Sequence, residues 1–147
     1  MFPYLSQIKP GADIGPDQFE KTFGKTPAAE LKKNKITRIV NNGGNISVTA
    51  AAPQEMLLAR GAKMRVAKNF SFQFASQSKK ITVTKIKGIE ATRSDAPAWV
   101  NLLAIELTAS GDQVTIACKV SKLFISLTLS ETYSLKEIEA LGWKMPE

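Results

Sequence analysis

The chain has 147 residues, with 20 lysines and arginines against 13 acidic residues and no histidine, giving a net charge of +7. With 44% apolar residues it can fill a core in one domain of ordinary size, residues 1–147, and its composition is not that of a disordered segment. The missing histidine removes serine–histidine triads, histidine metal sites and a histidine pH switch, and the single cysteine excludes an internal disulfide framework.

No stretch approaches the ~18 apolar residues of a membrane-spanning helix. The opening MFPYLSQIKPGADIGP lacks a basic segment followed by an apolar one, so no signal peptide is visible and a soluble, cytoplasmic protein is expected.

Residues 1–16 carry three prolines and two glycines and read as an irregular arm. Two short helices follow over 17–33. Pro16 and Asp17 open the first, which runs through Phe23 and stops at Gly24; Thr26-Pro27 supplies an N-cap and a first-turn proline for the second, which ends near Lys33. Neither is long enough to persist alone, so both must pack on something.

From Lys35 to about residue 130 the apolar period is two. Ile36–Val40 and Ile46–Ala50 flank Asn41-Asn42-Gly43-Gly44-Asn45 and read as a hairpin. Pro53–Gly61 is expected to form a helical turn or two. Met64, Val66, Phe70, Phe72 and Phe74 share one face of the clearest strand, with Lys68 interrupting that face. Ile81–Lys87 follows, where the apolar parity slips after Val83 and predicts a bulge or strand end near Lys85.

After a loop over Thr92–Pro97, Trp99, Leu103, Ile105 and Leu107 alternate along a long strand. Val114–Val120 and Leu123–Leu129 complete seven candidate strands, and Cys118 alternates with Val114, Ile116 and Val120 as a buried thiol would.

Residues 134–142 read as a short C-terminal helix. Ser134 and Glu137 form a capping box, Tyr133 and Ile138 a hydrophobic staple, and Gly142 takes the terminal left-handed position with Trp143 folding back onto Ile138. The whole predicts an α+β fold: a mainly antiparallel sheet of about six or seven strands, either curved around the helices or closed as a small barrel.

The charge is unevenly distributed. Between Leu31 and Ile89 twelve basic residues face one acid, Glu55. Such a field attracts polyanions or an anionic membrane surface. Lysines outnumber arginines, and an ammonium is a point charge without a bidentate fork, which favours backbone or headgroup attraction over base readout. Arg60, Lys63, Arg65, Lys79, Lys80, Lys85 and Lys87 are the candidate contacts.

The expected function is therefore a non-catalytic binding domain for an acidic partner, without cofactor or metal, because no nucleophile–base pair or ligand spacing is present. The alternative is an apolar cavity between sheet and helices holding a small molecule or lipid, with Phe70, Phe72, Phe74, Trp99, Leu103 and Ile105 as its candidate lining. An exposed apolar edge would signal a homo-oligomer.

Overall fold

In a computed structural model, residues 3–93 and 98–147 are described. The elements run in chain order as a 3-10 helix (Pro3–Gln7), β1 (Asp13–Ile14), α1 (Pro16–Phe23), α2 (Lys25–Lys33), β2 (Ile36–Asn42), β3 (Asn45–Ala50), β4 (Gln54–Leu57), β5 (Lys63–Gln77), β6 (Lys80–Thr92), β7 (Trp99–Ser110), β8 (Gln113–Lys122), β9 (Ile125–Ser134) and α3 (Leu135–Ala140). The fold is an antiparallel, sheet-rich α+β arrangement. The sheet has nine strands, not six or seven, in the order β1-β2-β3-β5-β6-β7-β8-β9, with β4 also paired to β5. It is open, with β1 and β9 at its edges, which rules out the closed barrel.

The two extra strands come from places where local pattern was outweighed. β1 is a two-residue pairing of the N-terminal arm with Ile39 and Val40 of β2. Gln54–Leu57, expected as helix, pairs instead with Lys63–Val66 at the start of β5. The β2–β3 hairpin is also tighter than expected. Asn42 pairs with Asn45, so the loop is Gly43-Gly44 alone, both at positive φ as a two-residue turn with this twist demands.

One face of the sheet carries the core. Ile39, Ile46, Val48, Met64, Val66, Phe70, Phe72, Ile81, Val83, Ile105, Leu107, Val114 and Cys118 are all buried on it. The 3-10 helix, α1, α2 and α3 close over that face with Tyr4, Leu5, Phe19, Phe23, Leu31, Ile138 and Trp143, forming one contiguous hydrophobic cluster. Phe74 meets Trp143 edge-on at 5.8 Å, so the C-terminal segment is tied to the middle of the sheet. The opposite face is polar, with Ser47, Thr49, Ser71, Gln73, Thr82, Thr84, Glu106 and Thr115 in register across it.

The expected bulge is present. Lys85 sits at φ +51, and the β5–β6 register shifts between Ser71 and Gln73. A larger break separates Val66 from Ser71 on β5, and the β6–β7 pairing is interrupted between Val83 and Glu90. Bulges sharpen local twist, so the long β5–β6 hairpin bends at its middle and carries β4 toward the far edge. There the Arg60 backbone N–H donates to Glu131 Oε2 of β9 at 2.6 Å.

A further bulge at Leu103 reverses the parity of β7. Ile105 and Leu107 face the core as expected. Trp99 and Leu103 do not, and stand 39% and 47% exposed.

The helix ends match their signals. Ser134 Oγ accepts from the Glu137 backbone N–H, and Glu137 Oε2 accepts from the Ser134 N–H at 2.8 Å. Trp143 N–H returns to the Ile138 carbonyl and Gly142 N–H to that of Glu139, closing the helix around a glycine at φ +89. The exception is α2, which begins two residues earlier than expected, with Gly24 rather than Thr26 as its N-cap. Residues 94–97 of the expected Thr92–Pro97 loop lie outside the described residues.

Candidate functional site

The seven basic candidates do not form one patch. They occupy three places along the β5–β6 hairpin. Lys79 and Lys80 lie at its turn, where Lys79 takes φ +56 and Lys80 Nζ stands 3.3 Å from Glu106. That carboxylate also meets Lys119 at 3.5 Å, so this end is partly neutralised within the sheet.

Lys85 and Lys87 lie at the bulge. Lys87, paired with Ser71, borders a polar hollow of about 210 Å³ with Ser47, Thr49 and Asn69. Arg60, Lys63 and Arg65 lie at the other end. Lys63 and Gln77 bound the fifteen residues of β5, so the two groups lie at opposite ends of the hairpin.

Arg60 is turned to a structural task. Its backbone N–H, together with the Tyr133 hydroxyl, holds the Glu131 carboxyl below the usual carboxylate range. Burial pushes the Tyr133 phenol up to about 12, with Glu131 beside it adding to the shift.

The structure gathers a different set. β5 begins at Lys63 beside Thr92 of β6, Thr92 pairs with Trp99 of β7, and Asn101 pairs with Ser121 of β8. The β8–β9 turn, Leu123-Phe124, therefore projects from the same end of the sheet. Arg65 places its guanidinium 5.4 Å over the Trp99 ring. Arg93 and Lys122 line an apolar hollow of about 260 Å³ with Val100, Val120, Leu123 and Ile125. On the other side of the turn, Trp99, Lys122 and Leu123 border a second hollow with Glu90.

Leu123, Phe124 and Ile125 are 89%, 103% and 76% exposed, the most solvated large apolar run among the described residues. Arg93, Lys122 and an indole with Arg65 over its face thus border a bare apolar tip. Arg93 and Lys122 escaped the sequence reading because both fall outside the basic window. The Lys-Leu-Phe-Ile run reads as the start of a strand, not as a turn. The available signal was the absence of any Gly, Asn, Asp or Pro between two alternating runs that must reverse direction.

The expected cavity residues are dispersed too. Phe70 and Phe72 are packed into the core, stacked on one another at 6.2 Å. Of the six, only Ile105 borders the cavity of about 220 Å³ that lies under α3, among Leu107, Ile116, Tyr133, Ile138 and Trp143. Leu103 lines a larger open groove, about 640 Å³, where the bulges part β5, β6 and β7 beside Arg65, Lys68 and Gly88.

Cys118 is fully buried, and that burial pushes its thiol up to about 12, the reverse of an activated nucleophile. Among the described residues, no group of three or more Cys, Asp or Glu side chains is placed to hold a metal ion. No helix among them is long and apolar enough to cross a membrane. Comparison with protein-family models, with curated proteins and with solved structures finds no match.

Proposed function

We propose that the chain is a non-catalytic binding domain whose basic surface meets an acidic partner, either a polyanion or an anionic membrane. The observation that carries this reading is the placement of Arg65, Arg93 and Lys122 around Trp99 and the β8–β9 turn, with Glu55 and Glu90 on the strands either side of Arg65 as the described acids nearby. Convergent cations raise the local concentration of an anionic partner, and the gain falls as salt screens them. The mid-strand pair Lys85 and Lys87 extends the positive field along the hairpin. A cytoplasmic setting suits either kind of partner.

A salt series tests the reading. Retention on immobilised nucleic acid, or on vesicles containing an anionic lipid, should be strong at low ionic strength and fall steeply with added salt. Absence of salt-dependent retention on both materials would sink it.

A second reading is favoured by the cavity under α3. Its walls are mostly aliphatic and aromatic, with Glu30 and Glu137 at the margin, and its volume of about 220 Å³ suits a small apolar molecule more than a long lipid chain. Mass spectrometry of the intact protein under native conditions distinguishes this reading, since a bound molecule would add a discrete mass.

A further inference from the structure

We propose that the Leu123-Phe124 turn is a membrane-inserting tip, driven into the interface of an anionic bilayer while Arg65, Arg93 and Lys122 engage the headgroups beside it. This inference rests on the reading of the chain as a domain for acidic partners and selects one of them.

Three observations support it. The first is the turn itself. Among the described residues, four hairpins have two-residue loops: Gly43-Gly44, Ser78-Lys79, Gly111-Asp112 and Leu123-Phe124. The first three are built from glycine and polar residues, as such turns favour, with Lys79 at φ +56 the one long side chain at positive φ among them. The fourth places a leucine at φ +55, a region that bulky residues avoid, and leaves a phenylalanine wholly in solvent. A glycine there would relieve the backbone and a polar neighbour would remove the exposed ring. Strain and exposure that folding does not require point to an occupant outside the chain.

The second is chemical complementarity. Aliphatic side chains reward transfer into hydrocarbon, and an indole with a cation over its face suits the headgroup level. Trp99 and Arg65 stand in the strand row beside Leu123. Lysine and arginine side chains bordering an apolar wedge are the arrangement that combines partial insertion with attraction to anionic lipid.

The third concerns the rival occupants. A second copy docked tip to tip would bring the same cations together, and like charges across an interface oppose association. Nucleic acid would engage the cations and could stack on the Phe124 and Trp99 rings, but it would leave the exposed aliphatic Leu123 and Ile125 against a polar backbone, whereas a bilayer interface takes up all of the tip.

The experiment uses the full chain and two sets of vesicles, one of phosphatidylcholine alone and one containing phosphatidylserine. Co-sedimentation is expected with the second set and to fall with salt. The double variant Leu123→Gly with Phe124→Ser suits the turn better than the parent, so it should melt at the same temperature or higher while its partition coefficient drops more than tenfold. Lys122→Glu should lower the partition coefficient at least about fivefold, the factor for losing one well-placed cation.

Brominated lipids supply a direct readout of depth. Trp99 fluorescence should be quenched in the parent and not in the double variant, whereas the buried Trp143 should be unaffected in both. Unchanged partitioning of the double variant would overturn the inference. So would vesicle binding with no Trp99 quenching, or a concentration-dependent dimer abolished by the same substitutions. Retention on nucleic acid with none on vesicles would overturn the tip's role and leave the broader reading standing. Loss of both would remove both.

Discussion

Gly88 passes directly against Asn69 where the β5–β6 ladder breaks. A Cβ at Gly88, which sits at φ +76, would press into the Asn69 carbonyl oxygen and come within 3.1 Å of the Phe70 Cβ. Both strands would have to move to admit one methyl group. Gly88→Ala should therefore destabilise the fold by about 2–4 kcal/mol, the overpacking cost added to that of a left-handed alanine. Gly43→Ala, whose Cβ would meet nothing within 4 Å, isolates the backbone part and should cost only about 1 kcal/mol. Urea midpoints of the two variants check the difference. Equal midpoints would mean that the close approach carries no energy.

Asn41 is the buried polar residue that fastens the N-terminal arm. Its Nδ2 donates to the Ile8 carbonyl at 2.8 Å, its Oδ1 accepts from the Gly44 N–H at 2.9 Å, and its backbone pairs with Gly11 and Ala12. Asn41→Ala leaves two of those partners unmatched away from water, so a loss of about 2–3 kcal/mol is expected. Hydrogen exchange at the Gly44 amide should accelerate beyond the global change, because that bond is lost even in the folded variant.

Alkaline pH should weaken the fold, and Cys118 sets where the decline begins. Its folded pKa is raised from 9.0 to about 12 by burial. The protonated thiol is therefore favoured in the native state, and the contribution is fully present below pH 9. It is lost as pH rises from 9 through the folded value, with a limiting slope of about 1.4 kcal/mol per pH unit. Tyr133 adds a decline from pH 10, as does Tyr4, whose phenol burial pushes up with Glu30 beside it. Chemical denaturation between pH 7 and 10.5 should show Cys118→Ala losing stability less steeply than the parent above pH 9. Parallel curves would show that the thiol carries none of the dependence.

The six-residue α3 depends on its cap. Without the Ser134 hydroxyl the Glu137 N–H loses its acceptor, and Ser134→Ala should cost about 1 kcal/mol. Because Ile138 and Trp143 are held over the sheet by this helix, near-ultraviolet circular dichroism at the Trp143 band should lose intensity before the far-ultraviolet signal does on heating. Coincident transitions would mean the helix unfolds only with the sheet.

The parts of the fold legible in the sequence were those that local chemistry decides. The Ser134–Glu137 cap, the Gly142 terminus, the β5 alternation from Met64 to Phe74 and the parity slip at Lys85 all appear as read. Gln54-Glu55-Met56-Leu57 misled because glutamate, methionine and leucine are good helix formers, and pairing to Lys63–Val66 outweighed that preference. The Trp99–Leu107 alternation misled for another reason, since one extra residue at Leu103 reverses the faces and no residue type announces it. The charge cluster was the least legible. Arg65 and Lys122 lie far apart in the chain, and which strands stand between them is a matter of order across the sheet.

The displaced pairings in β5 and β6 also key the hairpin. A uniform two-stranded ribbon can slide by two residues and keep every side chain on its proper face. Here such a slip would carry Gly88 away from Asn69 and bring a residue with a Cβ into that crossing, while Lys85 would leave the one place where its left-handed backbone fits. The irregularity that interrupts the ladder is thus what gives the longest hairpin a single setting, as an off-centre notch allows a shaft to seat one way only.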